Sequence, residues 1–233
     1  MTSVEELKKL NIEMPSEQEI TGCNGFYNRV VKRFLDLVFS VLLFIILLPL
    51  YFIISIMIVA DDGAPVFYRA QRGGYKNRSF NIYKFRTMVK NADKIGGGTT
   101  ALNDSRITKI GNFLRKTKLD ETANLINIIR GEMSFIGPRP ELIRYTEKYE
   151  GVEKYIFEVR PGITDYSSDV FINLDEIVGS ENADEMYEKY VLANKNALRV
   201  RYAAEVSFKT DIKIFFKTVF DVLKKAISFI FKK

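Results

Sequence analysis

With 233 residues, 47% of them hydrophobic and 27% charged, the chain has enough material for one packed domain with appendages. It holds no histidine and one cysteine, Cys23, which excludes Ser-His and Cys-His nucleophile systems, the usual zinc sites and an intrachain disulfide, and suits a reducing compartment. A net charge of +6 suits an anionic partner, whether phosphate, nucleic acid or lipid headgroup.

The leader, Met1 to Asn28, is polar with balanced charges and reads as peripheral. Cys23 lies within it, far from the later motifs, so a catalytic thiol is not expected. Leu37 to Ala60 then runs without a charge. A continuous helix of about 24 residues reaches roughly 36 Å, enough to cross a hydrocarbon core of about 30 Å. Pro49 sits at its middle, where the missing backbone donor bends or breaks a helix. Basic residues flank both ends: Arg29, Lys32 and Arg33 before it, then Arg69, Arg72, Lys76 and Arg78 after it. The positive-inside bias pulls both ends to the cytosol. Split at Pro49, arms of about 12 residues cover only some 18 Å each, so the segment would enter and return. A kinked single span is the alternative, and both stay open on these residues.

Pro65 to Met88 reads as a small β-hairpin around Gly73-Gly74, dense in Arg, Lys and Tyr, with Lys84 and Arg86 near its end. Gly96-Gly97-Gly98 with Thr99-Thr100 lacks P-loop spacing and reads as a mobile loop. Arg106, Lys109, Arg115, Lys116 and Lys118 crowd upstream of the neighbouring carboxylates Asp120 and Glu121, which open a helix. Positive charge there keeps carboxylates ionised and gathers a polyanion. An isolated Asp-Glu pair in a first helical turn is ordinarily a complement to the helix dipole. Arg139, rigid between Pro138 and Pro140, and Arg160 in VRPGIT add two arginines that lose little freedom when they fork onto phosphate. After Asp165 the acidic helical stretches read as scaffold. The tail, Asp211 to Lys233, mixes Ile, Phe, Val and Leu with six lysines, the composition of a basic amphipathic helix in a headgroup layer or of a core-facing helix with a solvated lysine face.

Taken together, KRFLD (Lys32–Asp36), PVFYRAQR (Pro65–Arg72), KFRTM (Lys84–Met88), RITKIGNFLRKTKLDE (Arg106–Glu121), GEMSFIGPRP (Gly131–Pro140) and RPGIT (Arg160–Thr164) resemble the bacterial sugar transferases, small monotopic phosphoglycosyltransferases. The match runs over roughly residues 30 to 170, and GPRP, LDE and PGIT in combination are specific to that family. The resemblance implies a mostly helical α+β fold with a re-entrant membrane helix-hairpin, a small β-hairpin and amphipathic interfacial helices. In residue terms this gives a polar leader over 1–30, a re-entrant helix over 31–61, a cytosolic catalytic region over 62–175 and a helical C-terminal region over 176–233, with 31–233 effectively one domain.

The resemblance also implies a bacterial inner-membrane enzyme on the cytosolic face. It would move a sugar 1-phosphate from a UDP-sugar to polyprenyl (undecaprenyl) phosphate and release UMP through an aspartyl phosphosugar, with Mg2+. Asp120 stands at the nucleophile's position, and Glu121 becomes the metal or orienting carboxylate. Arg139, Arg160, Arg115, Lys84 and Arg86 are the expected phosphate contacts, while Pro49, Pro138 and Pro140 are structural. This chemistry needs no histidine, because a carboxylate of reference pKa about 3.9 is already an anion at neutral pH. The chain departs from the pattern at Leu48, where serine usually precedes the hairpin proline, at Thr122-Ala123-Asn124, where a Leu-Pro-Gln type triplet is common, at DYSSDVFINLDE after PGIT, and at LANK (Leu192–Lys195), where one branch has Pro-Lys. A non-catalytic basic membrane anchor is the competing reading. Nucleic-acid binding is not expected, since no binding module is recognisable.

Overall fold

A computed structural model describes residues 5, 9–95, 99–100, 103–171, 174–179 and 182–231. Gly96, Gly97 and Gly98, read above as a mobile loop, lie outside the described residues.

The apolar segment forms one helix, α1 (Lys32–Asp62), which continues through Pro49 and is long and apolar enough to cross a membrane. The expected break into two arms is therefore not seen as a gap in the helix. Pro49 removes one backbone donor, and the turn it frees is on the apolar outside, where Ile45 and Ile46 are exposed. One stripe of α1 is buried: Lys32, Asp36, Ser40, Tyr51, Ile54 and Ile58, joined at mid-helix by half-buried Phe44 and Leu47. That spacing of three and four residues is one helical face. The opposite face leaves Phe34, Phe39, Leu42, Ile45, Ile46, Phe52, Ile53 and Ile56 uncovered. So large an apolar surface is characteristic of contact with lipid.

The hairpin is present as β1 (Phe67–Arg72) and β2 (Phe80–Phe85), antiparallel with Phe67 opposite Phe85 and Arg72 opposite Phe80. Its connection is longer than a tight two-residue turn and carries a short 3-10 segment at Tyr75–Asn77. Helix α2 (Lys109–Thr117) starts at Thr108, whose hydroxyl accepts from the Gly111 amide at 2.9 Å. Lys118 then takes a left-handed conformation (φ 60°) and turns the chain into a 3-10 segment, Leu119–Asn124, which runs on into α3 (Leu125–Arg130).

Two short strands, β3 (Ser134–Ile136) and β4 (Gly162–Thr164), pair in parallel and bring GPRP beside PGIT. Sequence periodicity gave no sign of this three-residue pairing. It explains the two glycines: a Cβ on Gly162 would fall 2.1 Å from the Gly137 amide nitrogen, and one on Gly137 would fall 2.2 Å from the Arg160 carbonyl oxygen. Backbones this close admit no side chain.

The C-terminal region supplies the most buried helix, α4 (Ala193–Glu205), and the terminal α5 (Phe208–Phe231). On α5 Asp211 and Ile214 face the protein, whereas Phe208, Ile212, Phe215, Phe216 and Phe220 are exposed. That distribution favours the interfacial reading of the tail over the core-facing one. The leader is less peripheral than its polarity suggested. Ile20 and Cys23 are buried in the core cluster containing Tyr202 and Val206, and Asn194 brackets Leu10 and Ile12 through their backbones. The apolar residues that do this are spaced singly among polar ones, which leaves no periodic signal. Burial holds the Cys23 thiol above its ordinary pKa, away from thiolate reactivity.

Candidate active site

Asp120 and Glu121 sit in the first turn of the 3-10 segment, where side chains of consecutive residues project about 120° apart. They enter different surroundings. Glu121 is held by Arg139, which donates through Nη1 at 3.0 Å and through Nη2 in a shorter contact, and by Lys84 Nζ at 3.0 Å. Asp120 is buried, accepts no hydrogen bond among the described residues, and has no partner for its Oδ1.

The elements that deliver these groups are fixed by buried polar contacts. Asn127 on α3 accepts from the Tyr83 amide at 2.9 Å and donates to the Asn81 carbonyl at 2.7 Å, docking β2 on the helix as a further strand would. Lys84 is the next residue along β2. Arg139 is pinned through its own backbone: its amide donates to Asp165 Oδ2 at 3.0 Å, while its Nη1 also reaches the Ile163 carbonyl at 2.8 Å. Helix α1 joins in at Tyr51, whose hydroxyl donates to the Thr122 carbonyl at 2.7 Å, two residues from Asp120.

Electrostatics divide the two acids. Burial, and then the Glu121 charge, raise the Asp120 pKa above the usual carboxylate value, against the pull of Lys84, Arg115 and Lys118. Burial pushes Glu121 up too, but Arg139 and Lys84 more than reverse it and hold that carboxyl well below the usual range. Burial lowers the Lys84 pKa, partly countered by Glu121. One carboxylate is thus spent on cations, and its neighbour keeps a buried oxygen with no hydrogen-bond partner.

Of the residues singled out from sequence, Asp120, Glu121, Lys84 and Arg139 converge here, and Arg115 acts on Asp120 through its charge. Arg86 lies elsewhere: it caps the C-terminus of α1, donating to the carbonyls of Asp62 and Gly63 and pairing with the Asp62 carboxylate at 3.3 Å. Arg160 lies at the far end of α3 from Asp120. Its Nε donates to the Gly131 carbonyl at 3.1 Å, and its guanidinium stacks 4.6 Å from the Tyr75 ring centroid. The 3-10 turn and α3 that run from residue 120 to 130 separate those ends by about 17 Å. Pro138 and Pro140 flank Arg139 as expected. Among the described residues no group of three or more His, Cys, Asp or Glu side chains is arranged to hold a metal.

A family profile described as bacterial sugar transferase matches residues 27–225. The chain belongs to that family. Among relatives, the UDP-glucose:undecaprenyl-phosphate glucose-1-phosphate transferase of Escherichia coli is 35% identical over 197 residues, spanning 83% of this chain and 40% of that protein. The exopolysaccharide production protein ExoY of Sinorhizobium fredii is 32% identical over 214 residues, spanning 85% and 88%. A protein of Bacillus subtilis named as a putative undecaprenyl-phosphate N-acetylgalactosaminyl 1-phosphate transferase is 38% identical over 120 residues, spanning 52% and 67%. The chain thus covers about two fifths of the first of these relatives and most of the second. The family's profile takes in both the apolar helix and α5 as far as residue 225.

Proposed function

We propose that this chain moves a sugar 1-phosphate from a UDP-sugar to polyprenyl phosphate at the cytosolic face of the bacterial inner membrane, through a covalent phosphosugar on Asp120. The observation that carries the reading is the bare, buried Oδ1 of Asp120 beside a carboxylate already saturated by Arg139 and Lys84. The names of the relatives support the substrate classes.

The reaction is two displacements at one phosphorus. A carboxylate oxygen of Asp120 bonds to the sugar-linked phosphorus as the bond to UMP breaks, leaving an acyl phosphosugar. A phosphate oxygen of the polyprenyl acceptor then bonds to that phosphorus, and the aspartyl bond breaks, restoring the carboxylate. Nucleophiles and leaving groups are already anions, so no proton need move. What the protein supplies is position and positive charge. Lys84, Arg139 and Arg115 supply charge around the acid pair. Burial strips Asp120 of competing donors, so its Oδ1 need break no hydrogen bond to attack.

Magnesium belongs to this proposal. The residues fit an ion held chiefly by the donor's own phosphates, with Asp120 as the protein ligand, because both Glu121 oxygens are engaged by cations. When bound, such an ion would neutralise charge on the diphosphate.

The membrane geometry we propose is re-entrant. Both ends of α1 are tied to one globular body. Lys32 pairs with Asp211 at 2.5 Å and Arg33 donates to the Ile129 carbonyl at 3.0 Å near the start; Asp61 accepts from the Ile110 amide at 3.1 Å at the end. A simple span would carry those two sets of contacts to opposite sides of the bilayer.

The test is UMP release from a panel of UDP-sugars by detergent-solubilised protein with Mg2+, with and without polyprenyl phosphate. The proposal expects a small burst without acceptor, turnover with it, and a phosphosugar mass on Asp120 in trapped enzyme. Turnover with no such adduct sinks the covalent route. No release from any UDP-sugar favours a non-catalytic anchor.

A further inference from the structure

Gly131 ends α3 in a left-handed conformation (φ 82°), and two arginines from distant parts of the chain close on that helix end. Arg33, in the first turn of α1, donates through Nη1 and Nη2 to the Ile128 and Ile129 carbonyls at 2.5 and 3.0 Å. Arg160, just before β4, donates through Nε to the Gly131 carbonyl at 3.1 Å. A Cβ on Gly131 would fall 3.3 Å from the Arg33 Cζ. Two half-buried guanidiniums therefore meet over one glycine, and Arg160 acts on Arg33 as a repelling charge.

Helix capping accounts for the carbonyl contacts but leaves both charges unmatched. Among the described residues neither arginine pairs with a carboxylate, and Arg160 uses neither Nη group in a hydrogen bond. The acids close by in sequence are engaged elsewhere. Asp36 Oδ1 accepts from the Ser134 hydroxyl and the Phe135 amide, Glu132 accepts from Asn127 Nδ2 at 2.7 Å, and Glu158 pairs with Lys76. The Arg160 guanidinium stacks 4.6 Å from the Tyr75 ring centroid, which holds its plane and leaves its N–H edge for an anion.

The position of the pair indicates which anion. Phe34, next to Arg33, is 64% exposed, and Val30 and Phe26, four and eight residues before it, are exposed as well. That spacing carries the uncovered apolar face of α1 past Arg33. Phe208 of α5 meets Tyr27 edge-on, 6.1 Å between centroids, and extends the same rim. With α1 in lipid, the two arginines lie where hydrocarbon gives way to headgroups. The length of the segment from residue 120 to 130, about 17 Å, keeps them away from the phosphorus displaced at Asp120.

We propose that Arg33 and Arg160 form a binding site for the phosphate of an anionic phospholipid, which matches the paired charges and fixes the corner between α1 and α3 at the bilayer surface. The inference rests on the lipid contact of α1 proposed above, which a span and a re-entry share, and not on the covalent route.

The experiment is native mass spectrometry of the full chain, delipidated in neutral detergent and offered phosphatidylglycerol and phosphatidylcholine in equal amounts. The expected result is one phosphatidylglycerol retained per chain, preferred about tenfold or more. Replacing both residues, Arg33→Gln with Arg160→Gln, should abolish the preference. Arg160→Gln alone should lose most of it, and keeps the test meaningful if the double variant does not fold. Equal retention of the two lipids by the wild type, or an unchanged preference in Arg160→Gln, overturns the assignment and leaves the UMP-release reading intact. Displacement of phosphatidylglycerol by equal amounts of UDP or inorganic phosphate would assign the pair to a soluble anion. Stronger retention of polyprenyl phosphate, lost in the same variants, would assign it to the acceptor. Either result overturns the inference as stated. A chain that stays monodisperse without detergent would remove the lipid contact and this site together.

Discussion

Arg139 grips both oxygens of Glu121, while the adjacent Asp120 is left with a buried oxygen that has no hydrogen-bond partner. Two neighbouring carboxylates thereby take unlike states in one low-dielectric site. Asp120→Asn should abolish UMP release, because an amide cannot form the acyl phosphosugar. Glu121→Gln should leave weak release with altered magnesium dependence, since it loosens Lys84 and Arg139 without removing the nucleophile. Unchanged UMP release by purified Asp120→Asn would end the assignment.

The same asymmetry sets the pH response. On the proposed route Asp120 must be ionised to attack, and its pKa is raised, so the acid limb of the rate profile should lie above the ordinary aspartate value. Arg115 opposes that rise, so Arg115→Gln should move the limb to higher pH. Glu121 behaves oppositely in stability. Its folded pKa is depressed, so its contribution is complete above the unfolded value of about 4.3 and fades as pH falls toward the depressed one. Rate profiles for both proteins, with acid unfolding alongside, check the two signs.

Arg139→Ala should be costly for folding as well as for catalysis. It strands the Glu121 charge with Lys84 alone, and breaking one side of a buried pair typically costs about 3–5 kcal/mol. Arg139→Lys should recover part of the stability but not the two-pronged hold. Denaturant melts separate the two variants; equal stability of Arg139→Ala and wild type would contradict the buried-pair account.

Tyr51→Phe deletes the hydroxyl that links α1 to the Thr122 carbonyl and leaves the ring packed on Phe85. A net hydrogen bond of about 1 kcal/mol predicts a Tm fall of roughly 2–4 °C for a chain of this size. UMP release should fall further than that small destabilisation explains, because the link ends two residues from Asp120. A proportionate loss would reduce Tyr51 to packing.

Topology is open to a direct measurement. With Cys23 replaced, single cysteines at Arg29 and at Lys90, both exposed, should be labelled from the same face of oriented vesicles. Labelling from opposite faces would establish a span.

The carboxylate centre was legible in the sequence because its parts lie in short segments whose spacing carries meaning. Asp120 and Glu121 are adjacent, and Arg139 is braced by prolines. Lys84 alternates along a strand. Arg86 and Arg160 were harder to place. A guanidinium is satisfied equally by phosphate oxygens and by the carbonyls at a helix end, and a one-dimensional reading does not distinguish them. The structure gives both arginines helix carbonyls. The supports were not legible at all. Asn127 sits in an apolar run and reads as a blemish there, yet it docks β2. Asp211 meets Lys32 across 179 positions, a relation that exists only after folding. Glu141 and Arg199 belong to the same class, isolated polar residues whose meaning comes from their pairing.

The buried stripe of α1 has one further consequence. On the proposed membrane placement, one face of that helix is solvated by the protein and the other by hydrocarbon, and the two share a backbone that reaches the Asp120 turn through Tyr51. The bilayer would then be a component of the folding medium for that turn. A detergent that matches hydrocarbon thickness poorly should distort the nucleophile's setting before it unfolds the chain, so activity is expected to decay ahead of any loss of helicity.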